Sequence, residues 1–141
     1  MDYFTKIIIV DNHLLFREEI KLMIKTEALG EVIAEAGNSN AFLLLLEKYK
    51  PDLVLMEIEL PINYCVEAIR KVKVINPDIK IVVHNMNMKR INLKELVIAG
   101  VLGFLSKESD KNELKEAIKT ISRGEYYFSD EFMHQIVLNQ N

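Results

Sequence analysis

The stretch Pro51-Asp52-Leu53-Val54-Leu55-Met56-Glu57-Ile58-Glu59-Leu60-Pro61 constrains the fold of this chain more than any other. Leu53 to Met56, with Ile58, form a short apolar run fenced by prolines, which reads as a strand buried on both faces of a parallel sheet. That strand carries Glu57 to its carboxyl end. A carboxylate there is badly placed for packing and well placed for chemistry, because open α/β sheets bind ligands outside the carboxyl ends of their strands.

The remainder of the chain alternates strand with helix. Lys6-Ile7-Ile8-Ile9-Val10 is a β-branched run stopped by Asp11-Asn12. His13 to Thr26 then shifts to helical spacing with Phe16, Ile20, Met23 and Ile24 on one face, and Gly30 is the expected close of that helix. Glu31 to Ala36 forms a second strand. Ser39 is the expected N-cap of a helix running to about Tyr49. Its centre, Ala41 to Leu46, is apolar all round and is expected to pack on both flanks within the monomer rather than to face a partner.

After the opening strand, Ile62, Val66, Ile69 and Val72 or Ile75 are spaced as a helix covering the sheet, and Asn76-Pro77-Asp78 is a turn. Ile79 to His84 is a fourth strand, followed by a loop at Asn85-Met86-Asn87. Leu93, Leu96 and Val97 mark a helix ended by Gly100, and Val101 to Leu105 make a fifth strand with Ser106-Lys107 at its end. Asp110 to Glu113 resembles a capping box before a helix with the face Leu114, Ala117, Ile118 and Ile121, which Gly124 stops. Ser129-Asp130-Glu131 then begins a short terminal helix, with Phe128 and Met133 as a hydrophobic staple. The predicted architecture is α/β: a doubly wound (βα)5 sandwich with a parallel five-stranded sheet, of order 2-1-3-4-5 if it is flavodoxin-like, plus a short C-terminal helix.

Composition narrows the class further. A chain of 141 residues, half of them apolar, is one domain with a real core, and 28% charged residues do not make it disordered. A net charge of −3 leaves no basic footprint for nucleic acid. The lone Cys65 permits neither an internal disulfide nor a thiolate cluster, no apolar run is long enough for a bilayer, and the start has no secretory pattern. These features predict a cytoplasmic protein without a membrane partner.

Polar residues collect at the strand ends: Asp11 and Asn12 after the first strand, Glu57 after the third, Asn85 after the fourth and Lys107 after the fifth. In the order 2-1-3-4-5 the first and third strands are neighbours at the switch point, so Asp11, Asn12 and Glu57 share one crevice. Two carboxylates beside a lysine amine can hold a hard cation or can pair with the lysine, and a salt-bridged rim with no further role is as compatible with the spacing. His13 and His84 flank the cluster. Helical and strand spacing account for them as a helix cap and a strand residue rather than as metal ligands. The glycines form neither G-x-G-x-x-G nor a P-loop, and there is no G-x-S-x-G elbow, so no nucleotide-binding or hydrolase motif is present and the chain is not read as an enzyme.

Val10-Asp11-Asn12-His13 with Leu15-Phe16-Arg17, the stretch from Pro51 to Pro61, and Gly100 to Lys107 resemble, in order and spacing, the receiver domain of two-component response regulators. The resemblance runs from about Lys6 to Arg123. Phe16-Arg17 and the segment Ile121 to Ser129 further resemble the NarL/FixJ (LuxR-like) branch. Residues 1–123 are then the receiver domain, and 124–141 a linker and terminal helix leading to a helix-turn-helix output domain outside this chain.

The resemblance implies signal transduction in a phosphorelay, a sensor histidine kinase as partner, a homodimer, and transcription regulation with DNA contacted only through the output domain. It also implies a magnesium site of Asp11, Asn12, Glu57 and the Glu59 backbone carbonyl, a phosphate and switch set of Asn85, Phe104 and Lys107, and Glu57 as the phosphoacceptor position. The chain keeps Asp11 and Lys107 but departs elsewhere: Glu57 stands for the family's aspartate, Asn12 for a second acid, Asn85 for a hydroxyl residue, and Cys65 for a glycine. Asn12 is a weaker magnesium ligand than a carboxylate, and Glu57 carries its carboxylate a methylene farther out, where misplacement by about 1 Å costs roughly a hundredfold in transfer. The expected consequence is a magnesium site weakened or lost, and regulation independent of phosphorylation with Glu57 reaching toward Lys107. The alternatives are a silent dimerisation or interaction module, and a flavodoxin-like small-molecule binder, whose flavin phosphate a carboxylate-lined crevice would repel.

Overall fold

The apolar strands lie side by side because each has two faces to bury. In a computed structural model, which describes residues 4–58, 63–85, 93–130 and 133 with the side chains of Asn63, Asn85 and Leu93 outside that description, the elements run β1 (Lys6–Val10), α1 (Leu14–Thr26), β2 (Glu31–Ala36), α2 (Ser39–Leu45), β3 (Leu53–Glu57), α3 (Asn63–Ile75), β4 (Lys80–Asn85), α4 (Leu93–Ala99), β5 (Val101–Ser106), α5 (Lys111–Ser122) and β6 (Tyr127–Phe128). The sheet order is β2-β1-β3-β4-β5-β6 and every pair is parallel. The expected order 2-1-3-4-5 is therefore present, with one strand added at its edge.

Alternation along the strands sorts the core into two layers. Ile8, Val10, Val54, Met56, Ile81 and Val83 face Phe42 of α2, Val66, Ile69 and Val72 of α3 and Leu96 of α4. Ile7, Ile9, Leu53, Leu55 and Val82 face Ile20 and Ile24 of α1 and Leu114, Ala117, Ile118 and Ile121 of α5. Unbroken apolar strands are what a sheet covered on both sides requires. Gly103 in β5 lets α5 approach: a Cβ there would stand 2.4 Å from Ile121 Cδ1 and 3.1 Å from Val82 Cγ1.

Local chemistry departs from the sequence expectations at several ends. Asn38, not Ser39, caps α2, its side chain accepting the Ala41 N–H at 2.8 Å. α2 ends at Leu45 and continues as turns, with Phe42 buried and Leu44 exposed, so its apolar surface is only partly covered within the chain. α1 is closed by Ala28 rather than by Gly30: Ala28 takes φ 51°, its N–H reaches Lys25 O, and the Leu29 N–H reaches Ile24 O. That Schellman arrangement normally uses glycine. α5 closes the same way at Gly124, φ 80°, with N–H groups of Gly124 and Glu125 reaching Ile121 O and Thr120 O.

On α3 it is Val72 that is buried, and Ile75 is exposed. Tyr127–Phe128, which sequence patterning assigned to the tail, pairs with β5 as β6, and the Ser129 N–H donates to the Phe104 carbonyl at 2.8 Å. Two residues are too few to show a strand period. Met133 N–H reaches the Ser129 carbonyl at 3.0 Å, while Ile62, the Met86-Asn87 loop and the rest of the expected terminal helix fall outside the described residues.

Candidate functional site

The carboxyl ends of β1, β3, β4 and β5 converge on Lys107. Asp11 follows β1 and is fully buried, its N–H held by the Ala36 carbonyl at 2.9 Å. Its Oδ1 accepts the His13 backbone N–H at 2.7 Å and lies 3.0 Å from His13 Nδ1. Its Oδ2 pairs with Lys107 Nζ at 2.9 Å. Glu57, the last residue of β3, reaches the same ammonium: Oε1 accepts from Lys107 Nζ at 2.9 Å, and Oε2 accepts the Asn12 backbone N–H at 3.3 Å. His13 Nδ1 completes the shell of Lys107 at 2.9 Å.

The ammonium is thus surrounded by two carboxylate oxygens and by His13 Nδ1, which donates or accepts according to the ring's tautomer, with the Phe16 ring centroid 4.7 Å from Nζ. Such cation–π placement adds to the ion pairs where the ammonium is desolvated, and only 5% of the Lys107 side chain is exposed. Burial works to raise the Asp11 carboxyl's pKa, but the Lys107 ammonium and the His13 N–H outweigh it and hold the carboxyl below its usual value.

Behind this cluster, His84 of β4 sits in register with Glu57 on β3 and with Leu105 on β5. It is 1% exposed, its ring lies 4.9 Å from that of Phe16, and neither ring nitrogen has a hydrogen-bond partner among the described residues. Burial pushes its pKa down to about 3, so the ring is neutral. Arg17 ties the cluster to β2: Nε donates to Glu35 Oε1 at 3.1 Å and the guanidinium also donates to the Asp11 carbonyl. Lys21 reaches Glu35 at 2.8 Å, and although burial favours protonation of Glu35, these two cations keep its pKa low.

The residues singled out from sequence fare unequally. Asp11, Glu57 and Lys107 meet as expected. Asn12 contributes its backbone N–H while the residue itself is exposed. Asn85 ends β4 beside Ser106 of β5, its side chain outside the described residues, as is Glu59. Phe104 is fully buried and stacked on Phe128 at 5.1 Å with the rings 4° from parallel, which links β5 to β6. Cys65 is buried in the first turn of α3 with Sγ 3.7 Å from the Glu57 carbonyl.

His13 holds the N-cap position of α1 but makes no capping bond, since its ring turns back onto Asp11 and Lys107. Spacing could not show that. Phe16 and Arg17, present in the sequence as a branch signal, prove to be contacts of the site itself.

Receiver domains bind magnesium through acidic residues, and Asp11, His13 and Glu57 present ligand atoms within 4.8 Å of one another. The arrangement does not fit that ion. Magnesium demands near-octahedral oxygen ligation. Here both oxygens of Asp11 and of Glu57 already face donors, and a cationic ammonium stands among them.

With this geometry in hand, the comparisons are consistent. The model of the response regulator receiver domain matches residues 7–119, and the chain belongs to that family. It is 33% identical over 132 residues to the transcriptional regulatory protein DegU of Brevibacillus brevis, covering 94% of this chain and 56% of that protein. It is 32% identical over 133 residues to the response regulator GacA of Pseudomonas aeruginosa, covering 94% of this chain and 62% of the relative. The chain thus spans 56 to 62% of the length of these curated relatives. Among solved structures, a LuxR-family two-component response regulator from Aurantimonas sp. SI85-9A1 superposes with a TM-score of 0.84 at 28% identity, over 97% of this chain and 98% of that one. Among the described residues, no helix is long and apolar enough to cross a membrane.

Proposed function

We propose that this receiver domain signals without phosphoryl transfer to Glu57. The observation that carries the reading is the 2.9 Å contact between Glu57 Oε1 and Lys107 Nζ, which puts a carboxylate where the family's lysine would meet a phosphoryl oxygen. In-line transfer needs a free acceptor oxygen and a neutralising metal. Both oxygens of Glu57 are engaged, and the magnesium ligand set is displaced by the ammonium.

The extra methylene of glutamate closes this contact without any covalent group. The pair then holds β5 at its carboxyl end, where Phe104 is buried against Phe128, in the arrangement an occupied site would favour. As part of a two-component system, the domain acts as a homodimeric module. Through the segment after Arg123 it serves a DNA-binding output domain for transcription regulation, with a sensor histidine kinase as a docking partner rather than a phosphoryl donor. The setting is the cytoplasm, and the domain performs no turnover of its own. Glu57→Gln keeps the shape and removes the charge. Sedimentation velocity and a reporter assay of the variant should show weakened dimerisation and lost output. Output and dimerisation unchanged by Glu57→Gln would instead mark the domain as a silent scaffold.

A further inference from the structure

α3 buries Cys65, Val66, Ile69 and Val72 against the sheet and turns Tyr64, Glu67, Lys71 and Val74 away from it. The outward four follow one another at alternating three- and four-residue steps, the seam spacing of a helix that packs on another helix. Tyr64 is 62% exposed and Val74 85%, so the two apolar ends of this stripe are uncovered within the chain. Glu67 and Lys71 between them stand one turn apart, and neither forms an ion pair among the described residues.

The stripe is its own complement when reversed. With a second α3 laid antiparallel and Tyr64 set opposite Val74, Glu67 falls opposite Lys71, and a twofold axis through the middle of the helix repeats both contacts. Like charges meet nowhere along that seam. A hollow lies at each end to take the incoming side chain. One, of about 470 Å³, is lined by Leu43, Arg70, Val74 and Ile75, where the Tyr64 ring of a second copy would lie beside a guanidinium. The other, of about 550 Å³, is lined by Asn38, Leu43, Tyr64 and Ala68, and Val74 of the second copy would enter it.

We propose that the α3 face, with Leu43 of α2 at its side, docks a second copy of this chain in that antiparallel register. The inference rests on the homodimeric reading above and adds the surface that carries it. It is independent of the chemistry at Glu57, since α3 presents these residues on the side turned away from the sheet.

Sedimentation velocity of the whole chain across a concentration series tests the face. Lys71→Glu sets acid against acid at both symmetric positions and should raise the dimer Kd by about 10–30-fold, each exposed pair contributing modestly. Adding Glu67→Lys to it restores opposite charges in reversed order and should bring Kd back to within about threefold of the wild type. Both residues are exposed, so the substitutions spare the core. The register is read separately by Tyr64→Cys with Val74→Cys. Within one helix these positions are about 15 Å apart, too far for a disulfide, so oxidation should link two chains, and neither single variant should do so. A dimer indifferent to Lys71→Glu, a loss that the double exchange does not recover, or no covalent dimer from the cysteine pair overturns this face and leaves the homodimer to another surface. A wild-type chain that stays monomeric overturns this face and the homodimeric reading together.

Discussion

His84 should make this domain acid-labile in a way that a single substitution removes. The ring is 1% exposed and its pKa is pushed down to about 3 by burial, against an ordinary value of 6.5. A group whose pKa is depressed in the fold contributes stability above its unfolded pKa that is lost as pH falls toward its folded pKa. The window is therefore pH 6.5 down to about 3. At pH 5 the unfolded chain gains its proton with a free energy of about 2 kcal/mol, from roughly 1.5 pH units at 1.36 kcal/mol each, while the folded chain gains none. That is a large share of a typical stability of about 5–15 kcal/mol.

Urea unfolding in the presence of chelator, at pH 7.5 and at pH 5, measures the loss directly. His84→Leu replaces the ring, which lies against Phe16 and 3.7 Å from the buried Asp11 carboxylate, by a group that does not titrate, and should flatten the dependence over this range. Asp11, with its lowered pKa, loses its contribution only at lower pH, so the two effects separate. Equal loss of stability in the wild type and in His84→Leu would refute the reasoning.

Other perturbations follow from the local geometry. Ala28→Gly relieves a left-handed φ of 51° at the close of α1 and should raise stability by about 0.5–1 kcal/mol in denaturant titration. Asp110→Ala removes the 2.9 Å bond from the Glu113 N–H to the N-cap of α5 and should cost about 1 kcal/mol, read as a lower thermal midpoint. Gly103→Ala places a Cβ 2.4 Å from the buried Ile121 and should cost about 1–3 kcal/mol, with α5 losing hydrogen-exchange protection first.

Much of this architecture is legible in the chain because β1, β3 and β4 are apolar on both faces, a pattern that only a sheet covered on two sides can bury. Asp11 and Glu57 could be placed together by topology, since they stand at the carboxyl ends of β1 and β3 on either side of the switch point, whereas Lys107 after β5 reaches them through the length of its side chain. What sequence could not show were matters of side-chain direction and of competition between neighbours. Asn38 and Ser39 are both good caps, and only the backbone decides between them. Ala28 accepts a conformation that favours glycine because Leu29 behind it is buried against Ile24.

His13 could have capped α1, yet its ring nitrogen turns back onto the buried Asp11 carboxylate, a charged partner. β6 has no period of its own and is recruited by the Phe104–Phe128 stack and the Ser129 N–H.

On the proposed reading, the Glu57–Lys107 contact replaces phosphorylation in this receiver domain. Intact-mass spectrometry after incubation with acetyl phosphate and magnesium tests it most directly. An unmodified chain mass is expected under conditions that label an aspartate-bearing receiver run alongside. A stoichiometric phosphoryl adduct on this chain, lost in Glu57→Gln, would instead make this a phosphorylated switch.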